Sequence, residues 1–184
     1  MADTRRRITE AAVELHATVG PARTTLSAVA ERAGVERHTV YRHFPTEADL
    51  YGACSAHYFT ANPLPDPEPW CAIRDPRERL ERGLNDLYAF YERTEPMFTN
   101  VFRDFDLVEA MQPALVPFQD YLTEAAQLLA ANWAAGGRRR DLIVVAIGHA
   151  LDFDTWQSLT GSNDITRAEA LRLVTGLVEA AAAE

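Results

Sequence analysis

The sequence contains no lysine: all eighteen basic residues are arginine, set against twenty-seven acids for a net charge of −9 at pH 7. Such a chain lacks the overall positive field that non-specific nucleic-acid binding draws on, so attraction to a polyanion must come from a local arrangement. It has no run of about eighteen apolar residues, which argues against a membrane-spanning helix. Residues Met1 to Arg7 are polar and charged with no apolar core behind them, unlike an export signal, so a soluble cytoplasmic protein is expected. The two cysteines, Cys54 and Cys71, are not spaced as a pair of metal ligands, and both read as buried thiols in a reducing compartment. No Ser-His-Asp or Cys-His arrangement, glycine-rich phosphate loop or paired-carboxylate motif stands out. These absences point away from an enzyme, and no cofactor is implied.

What is present is an ordinary globular composition, 47% hydrophobic and 24% charged over 184 residues, enough for one or two domains with a sizeable core. Its charge is unevenly spread. From Thr4 to Phe44 there are seven Arg and four Glu, a local positive excess, while the acidic surplus lies beyond residue 50. An acidic body would orient the basic end toward a polyanion.

That basic end holds a helix, a turn and a helix. Thr25 is placed to cap a helix whose Leu26, Val29, Ala30 and Ala33 share one face. Gly34 can take the left-handed conformation that ends it, and Val35 plugs the turn. A second short helix runs from Arg37 to Phe44, where Pro45 stops it. Val40 and Phe44 form its buried side, and His38, Thr39, Arg42 and His43 fall on the opposite arc. A short helix with a polar outer face fits two descriptions, a solvated surface or a reader of the DNA major groove.

Thr24-Thr25, Ala30, Ala33-Gly34-Val35 and the run Tyr41-Arg42-His43-Phe44-Pro45-Thr46 with Asp49-Leu50 resemble the N-terminal domain of TetR-family transcriptional regulators. The resemblance covers about the first quarter of the chain. It implies an all-α fold, with a helix-turn-helix domain over residues 1–46 and a helical effector-binding and dimerisation domain over 47–184. It further implies a homodimer on a palindromic double-stranded DNA operator, released by a small-molecule effector. Thr25, Arg37, His38, Thr39, Tyr41, Arg42 and His43 are then the expected DNA contacts: Arg37, His38 and Thr39 at base edges, the others at phosphate. Two residues depart from the family pattern. Glu47 stands where a lysine is usual, and Glu36 where a small capping residue is common; both bring negative charge to the expected DNA face.

Elsewhere the pattern is also helical. A first helix from Asp3 to about Val19 would bury Ile8, Ala11, Ala12, Leu15 and Val19. Arg5, Arg6 and Arg7 lie in its first turn, where the helix dipole disfavours cations; a solvated start and a phosphate contact are both open. Thr46, Glu47 and Asp49 open a fourth helix running to about Ala61. Four prolines between Asn62 and Asp75 predict an irregular loop. A helix from Pro76 to about Thr94 follows, and Pro96, Pro113 and Pro117 are expected to break the next region into short pieces. A long helix from Leu115 or Phe118 should end at Ala135. The run Leu142 to Gly148, apolar on every face, and the last helix, Thr166 to Ala183, are expected to build a homodimer interface.

The aromatic and methionine-rich middle is most simply core, but could also line a pocket. Phe98, Phe102, Phe105, Phe118, Tyr121 and Phe153 are the candidate ligand-binding residues, with His149 and Asp152 as a polar end. His149, Asp152 and Asp154 also carry the competing reading, a helical metal-binding protein or enzyme, although two ligands on one helical face without a third are a weak signal.

Overall fold

The computed structural model describes residues 2–133, 136–161, 163 and 165–183, and among them every regular element is helical. The described chain divides into two compact units, residues 1–63 with 94–117 and residues 64–93 with 118–184. No helix of the described residues is long and apolar enough to cross a membrane.

The first unit opens with α1, Ala2–Thr18, followed by a 3-10 turn at Pro21–Arg23. Helix α2, Leu26–Ala33, begins where the Thr25 side chain accepts a hydrogen bond from the Ala28 N–H at 3.1 Å, and ends at Gly34 with φ 63°. Helix α3 spans Arg37–His43 and α4 spans Glu47–Ala61. A reciprocal capping box sets the start of α4: the Asp49 N–H donates to Thr46 Oγ1 at 3.1 Å, and the Thr46 N–H donates to Asp49 Oδ2 at 3.0 Å. Ile8, Ala12, Val29, Val40, Phe44 and Leu50 pack into one core among these helices. Val19, placed in that core by periodicity, is instead 40% exposed, because α1 ends one residue earlier.

The prolines behave in two ways. Between Asn62 and Asp75 a single helical turn forms, α5, Glu68–Cys71, because Pro67 precedes it and Pro69 lies in the first turn, where no N–H is needed. It buries Trp70 completely, with Nε1 donating to Asp86 at 2.9 Å. Cys71, on the other side of that turn, is exposed, so only Cys54 is the buried thiol expected of both.

The expected break at Pro96 does not occur. Helix α6 runs unbroken over Pro76–Asp104. Pro96 and Glu92 one turn before it are both exposed, so the carbonyl that loses its partner faces water. Two 3-10 turns, Phe105–Leu107 and Glu109–Met111, lead into α7, Gln112–Leu129, which likewise carries Pro117 on its exposed side.

Helix α7 stops at Leu129, and its expected end at Ala135 lies outside the described residues. The stop has a tertiary cause. Arg79, buried in the second unit, donates to the Leu128 and Ala131 carbonyls at 3.4 Å and to the Ile73 carbonyl at 2.6 Å. Asn132 then turns the chain at φ 71°, a conformation asparagine tolerates. Helices α8, Arg138–Leu151, α9, Phe153–Thr160, and α10, Arg167–Ala183, complete this unit, with α8 and α10 packed on each other. Ile143, Ile147, Val174 and Val178 are buried, while Val145, Leu173 and Leu177 stay exposed.

Candidate functional site

Helix α3 is held from behind. Val40 and Phe44 are buried, and the Arg5 guanidinium lies 4.1 Å from the centre of the Phe44 ring while donating to the His43 carbonyl at 2.5 Å. Arg7 donates to the carbonyls of Ala33 and Gly34, closing the end of α2. Arg6 pairs with Asp3 and Glu10 at 2.7 and 2.9 Å. The three arginines thus have partners within the chain, and two of them supply positive charge to the carbonyl ends of neighbouring helices. All three remain exposed, as a solvated basic start requires, while making these bonds.

The outer side of α3 carries the predicted DNA contacts. Arg37, His38, Tyr41 and Arg42 are exposed, and Thr39 and His43 are half-buried. Arg37 donates to the Tyr41 hydroxyl at 3.0 Å and its guanidinium stands 5.6 Å from that ring. Arg42 has no hydrogen-bond or ion-pair partner among the described residues. Thr25 is committed to capping α2. Glu36 precedes α3 without a side-chain capping bond, and Glu47 is exposed in the first turn of α4. The face therefore combines cationic and hydrogen-bonding groups with two flanking carboxylates.

The candidate ligand residues divide between the units. In the first, Phe98 and Phe102 pack at 5.7 Å between ring centres, and Phe105 starts a 3-10 turn. In the second, Phe118 is buried, Tyr121 donates to the Pro65 carbonyl at 2.9 Å, and Phe153 packs edge-on against Tyr91 at 5.3 Å. Asp152 caps α9 by accepting from the Asp154 N–H at 3.3 Å, and His149 lies beside the Thr155 hydroxyl. Among the described residues no group of three His, Cys, Asp or Glu could hold a metal ion, so the metal reading gains no third ligand.

Sequence reasoning named Phe98 as a pocket residue but missed most of the other walls of a cavity of about 60 Å³ within the first unit, formed by α1, α4, the end of α6 and the start of α7. Val13, Tyr58, Met97, Phe98, Val101 and Met111 are among its walls, which contain no Arg, Asp or Glu. His16 lines it too, stacked on Tyr51 at 5.1 Å, and burial pushes its pKa down to about 4, which leaves the imidazole neutral. Cys54 also faces it, its thiol pushed up to about 12 by burial and so inert as a nucleophile. The advance signal was the aromatic and methionine-rich middle, which supplies Met97, Phe98 and Met111; the walls from α1 and α4, His16 among them, were not expected.

Residues 8–54, covering α2, α3 and the flanking parts of α1 and α4, match the family model for bacterial regulatory proteins of the tetR family. No curated protein matches the chain in sequence. Among solved structures, a TetR-family transcriptional regulator from Streptomyces coelicolor is similar at 22% identity and TM-score 0.62, covering 100% of this chain and 80% of that one. A TetR-like transcriptional regulator from Rhodococcus sp. RHA1 aligns at 19% identity and TM-score 0.65, over 96% and 93% of the two chains. The TetR-family transcriptional regulator PfmR from Thermus thermophilus aligns at 17% and 0.64, over 94% and 96%. At these identities the structural likeness establishes the fold, and the sequence match identifies the helix-turn-helix unit. The chain thus carries a helix-turn-helix unit that matches the tetR family over residues 8–54, on a fold similar to that of TetR-family regulators.

Proposed function

We propose that the chain is a homodimeric repressor that holds a palindromic operator and leaves it when a small molecule binds. The observation that carries this reading is the outer face of α3, where Arg37, His38, Tyr41 and Arg42 stand exposed on a helix whose back is buried through Val40 and Phe44 and whose last turn is held by Arg5. Arg37, His38 and Thr39 read base edges from the first turn of the recognition helix, and Thr25, Tyr41, Arg42 and His43 hold phosphates. Dimerisation is supported by Val145 on α8 and by Leu173 and Leu177 on α10, apolar side chains left exposed on two helices that pack together. A second copy covering them would set two recognition helices about 34 Å apart, one turn of DNA. An effector bound among the later helices that favours another spacing would lower DNA affinity, since only a ligand preferring that state can shift the equilibrium.

Selection of bound fragments from the source genome tests the reading. Enrichment of a palindrome with half-sites one turn apart, by a protein shown to be dimeric, is the expected result. A dimer that enriches no palindrome overturns it.

A further inference from the structure

The cavity of the first unit has two properties that together point to a ligand. Its wall is uncharged and mostly hydrocarbon, thioether and aromatic: Val13, Tyr58, Met97, Phe98, Val101 and Met111. The Ser55 hydroxyl, also at the wall, is already used in a bond to the Ala114 carbonyl at 2.9 Å. An ion entering would lose its hydration without gaining a counter-charge, so a charged ligand is excluded by desolvation. The space of about 60 Å³ is smaller than the ~150 Å³ apolar cavity known to accept benzene. Met97 and Met111, unbranched and adaptable, are the side chains able to yield to a larger guest.

The second property is where the wall leads. Met97, Phe98 and Val101 lie on the last turns of α6, and the same turns hold the end of α1 and the entry to α2. Asn100 donates to the Ala17 carbonyl at 2.8 Å, Arg103 to the Val19 carbonyl at 3.2 Å, and Asp104 accepts from the Ala22 N–H at 3.0 Å. Asn100 and Asp104 are buried. Displacing α6 to admit a guest therefore displaces the three anchors of the helix-turn-helix.

We propose that this cavity, with α1 as one of its walls, is a binding site for a small uncharged apolar molecule of single-ring size, and that its occupancy acts on the recognition helix through the Asn100–Arg103–Asp104 anchors. The binding half stands on the cavity alone; the effect on DNA rests on the repressor reading above.

The test uses the full-length protein with toluene as probe and benzoate as its charged counterpart. The chain has three methionines, Met1, Met97 and Met111. In spectra of 13C-methyl-labelled methionine, toluene should shift the Met97 and Met111 signals saturably and leave Met1 unmoved, while benzoate shifts neither. Val101→Trp, which fills the space, should abolish those shifts. Non-saturating shifts of all three signals, an equal response to benzoate, or unmoved Met97 and Met111 would overturn the site. If Val101→Trp does not fold, the wild-type spectra decide alone. With an operator fragment in hand, saturating toluene should weaken binding by about tenfold or more. Methionine shifts without any change in DNA affinity overturn the coupling; failure to bind any palindrome overturns the repressor reading and leaves the site judged by its spectra.

Discussion

Asp104, in the last turn of α6, accepts a hydrogen bond from the backbone N–H of Ala22, eighty-two positions away in sequence. The carboxylate is buried, and the Arg103 guanidinium donates to both its oxygens at 2.8 and 3.0 Å. That pairing, with the Ala22 N–H, holds the carboxyl below its usual range.

A lowered folded pKa means that the stabilisation is complete above the unfolded value, about 3.9, and is lost as pH falls through the folded one. Asp104→Ala should therefore cost about 2 kcal/mol at pH 7, since it leaves the Ala22 N–H and Arg103 without their acceptor. In denaturant melts the gap between variant and wild type should close at strongly acid pH. A gap that stays constant with pH would show that the charge is irrelevant.

Gly20 sits against the same pair. Its φ of 94° is one that L side chains rarely adopt, and an added Cβ would collide with the Arg103 guanidinium and the Asp104 carboxylate. Gly20→Ala should lose about 3 kcal/mol, from backbone strain and displaced anchors together. Gly52→Ala provides the contrast: the new methyl meets nothing within 4 Å, and alanine is the better helix former by up to ~1 kcal/mol. Thermal melts should move in opposite directions.

His16 supplies a pH dependence of different origin. Burial lowers its pKa from 6.5 to about 4, so between those values the unfolded chain binds a proton that the folded one refuses. Stability is full above about pH 6.5 and falls as pH drops toward 4, by about 2 kcal/mol between pH 7 and 5. His16→Phe should flatten this slope in urea melts at the two pH values. An unchanged slope would assign the acid sensitivity to other groups.

On the proposed DNA face, Arg42→Ala should weaken binding to all sequences alike and reduce the salt dependence by about one phosphate's worth. Arg37→Ala should relax preference at one base pair, by about 1–3 kcal/mol of discrimination. Arg37 is paired with the Tyr41 hydroxyl in the free protein, so reading a base requires exchanging that partner. Binding curves for specific and random duplexes at two salt concentrations separate the effects; identical losses for both variants contradict the division.

The helix-turn-helix was legible because its determinants are local. Thr25 caps a residue three positions on, Gly34 turns the chain where it stands, and Thr46 and Asp49 cap each other. Thr166 and Glu169 repeat that exchange at the start of α10. What escaped was set by distant partners. Arg79 closes α7 from about fifty residues away, and Arg5 and Arg7, unfavourable in their own helix, are explained by the ends of α3 and α2. Pro96 misled for a different reason: the hydrogen bond that a proline removes costs less where the orphaned carbonyl meets solvent, and exposure is not readable locally. The cavity follows the same rule, since its walls come from α1, α4, α6 and α7, segments that no short-range period brings together.

Trp70, buried in the second unit, has company there: Trp133 and Trp156, the chain's remaining tryptophans, belong to the same unit. Indole fluorescence is consequently a signal from one unit only, whereas circular dichroism weighs the helices of both. A single pair of denaturation curves can then ask whether the unit that holds the helix-turn-helix melts in step with the other. Coincident midpoints mean one cooperative transition, and separated ones mean that the first unit can unfold on its own.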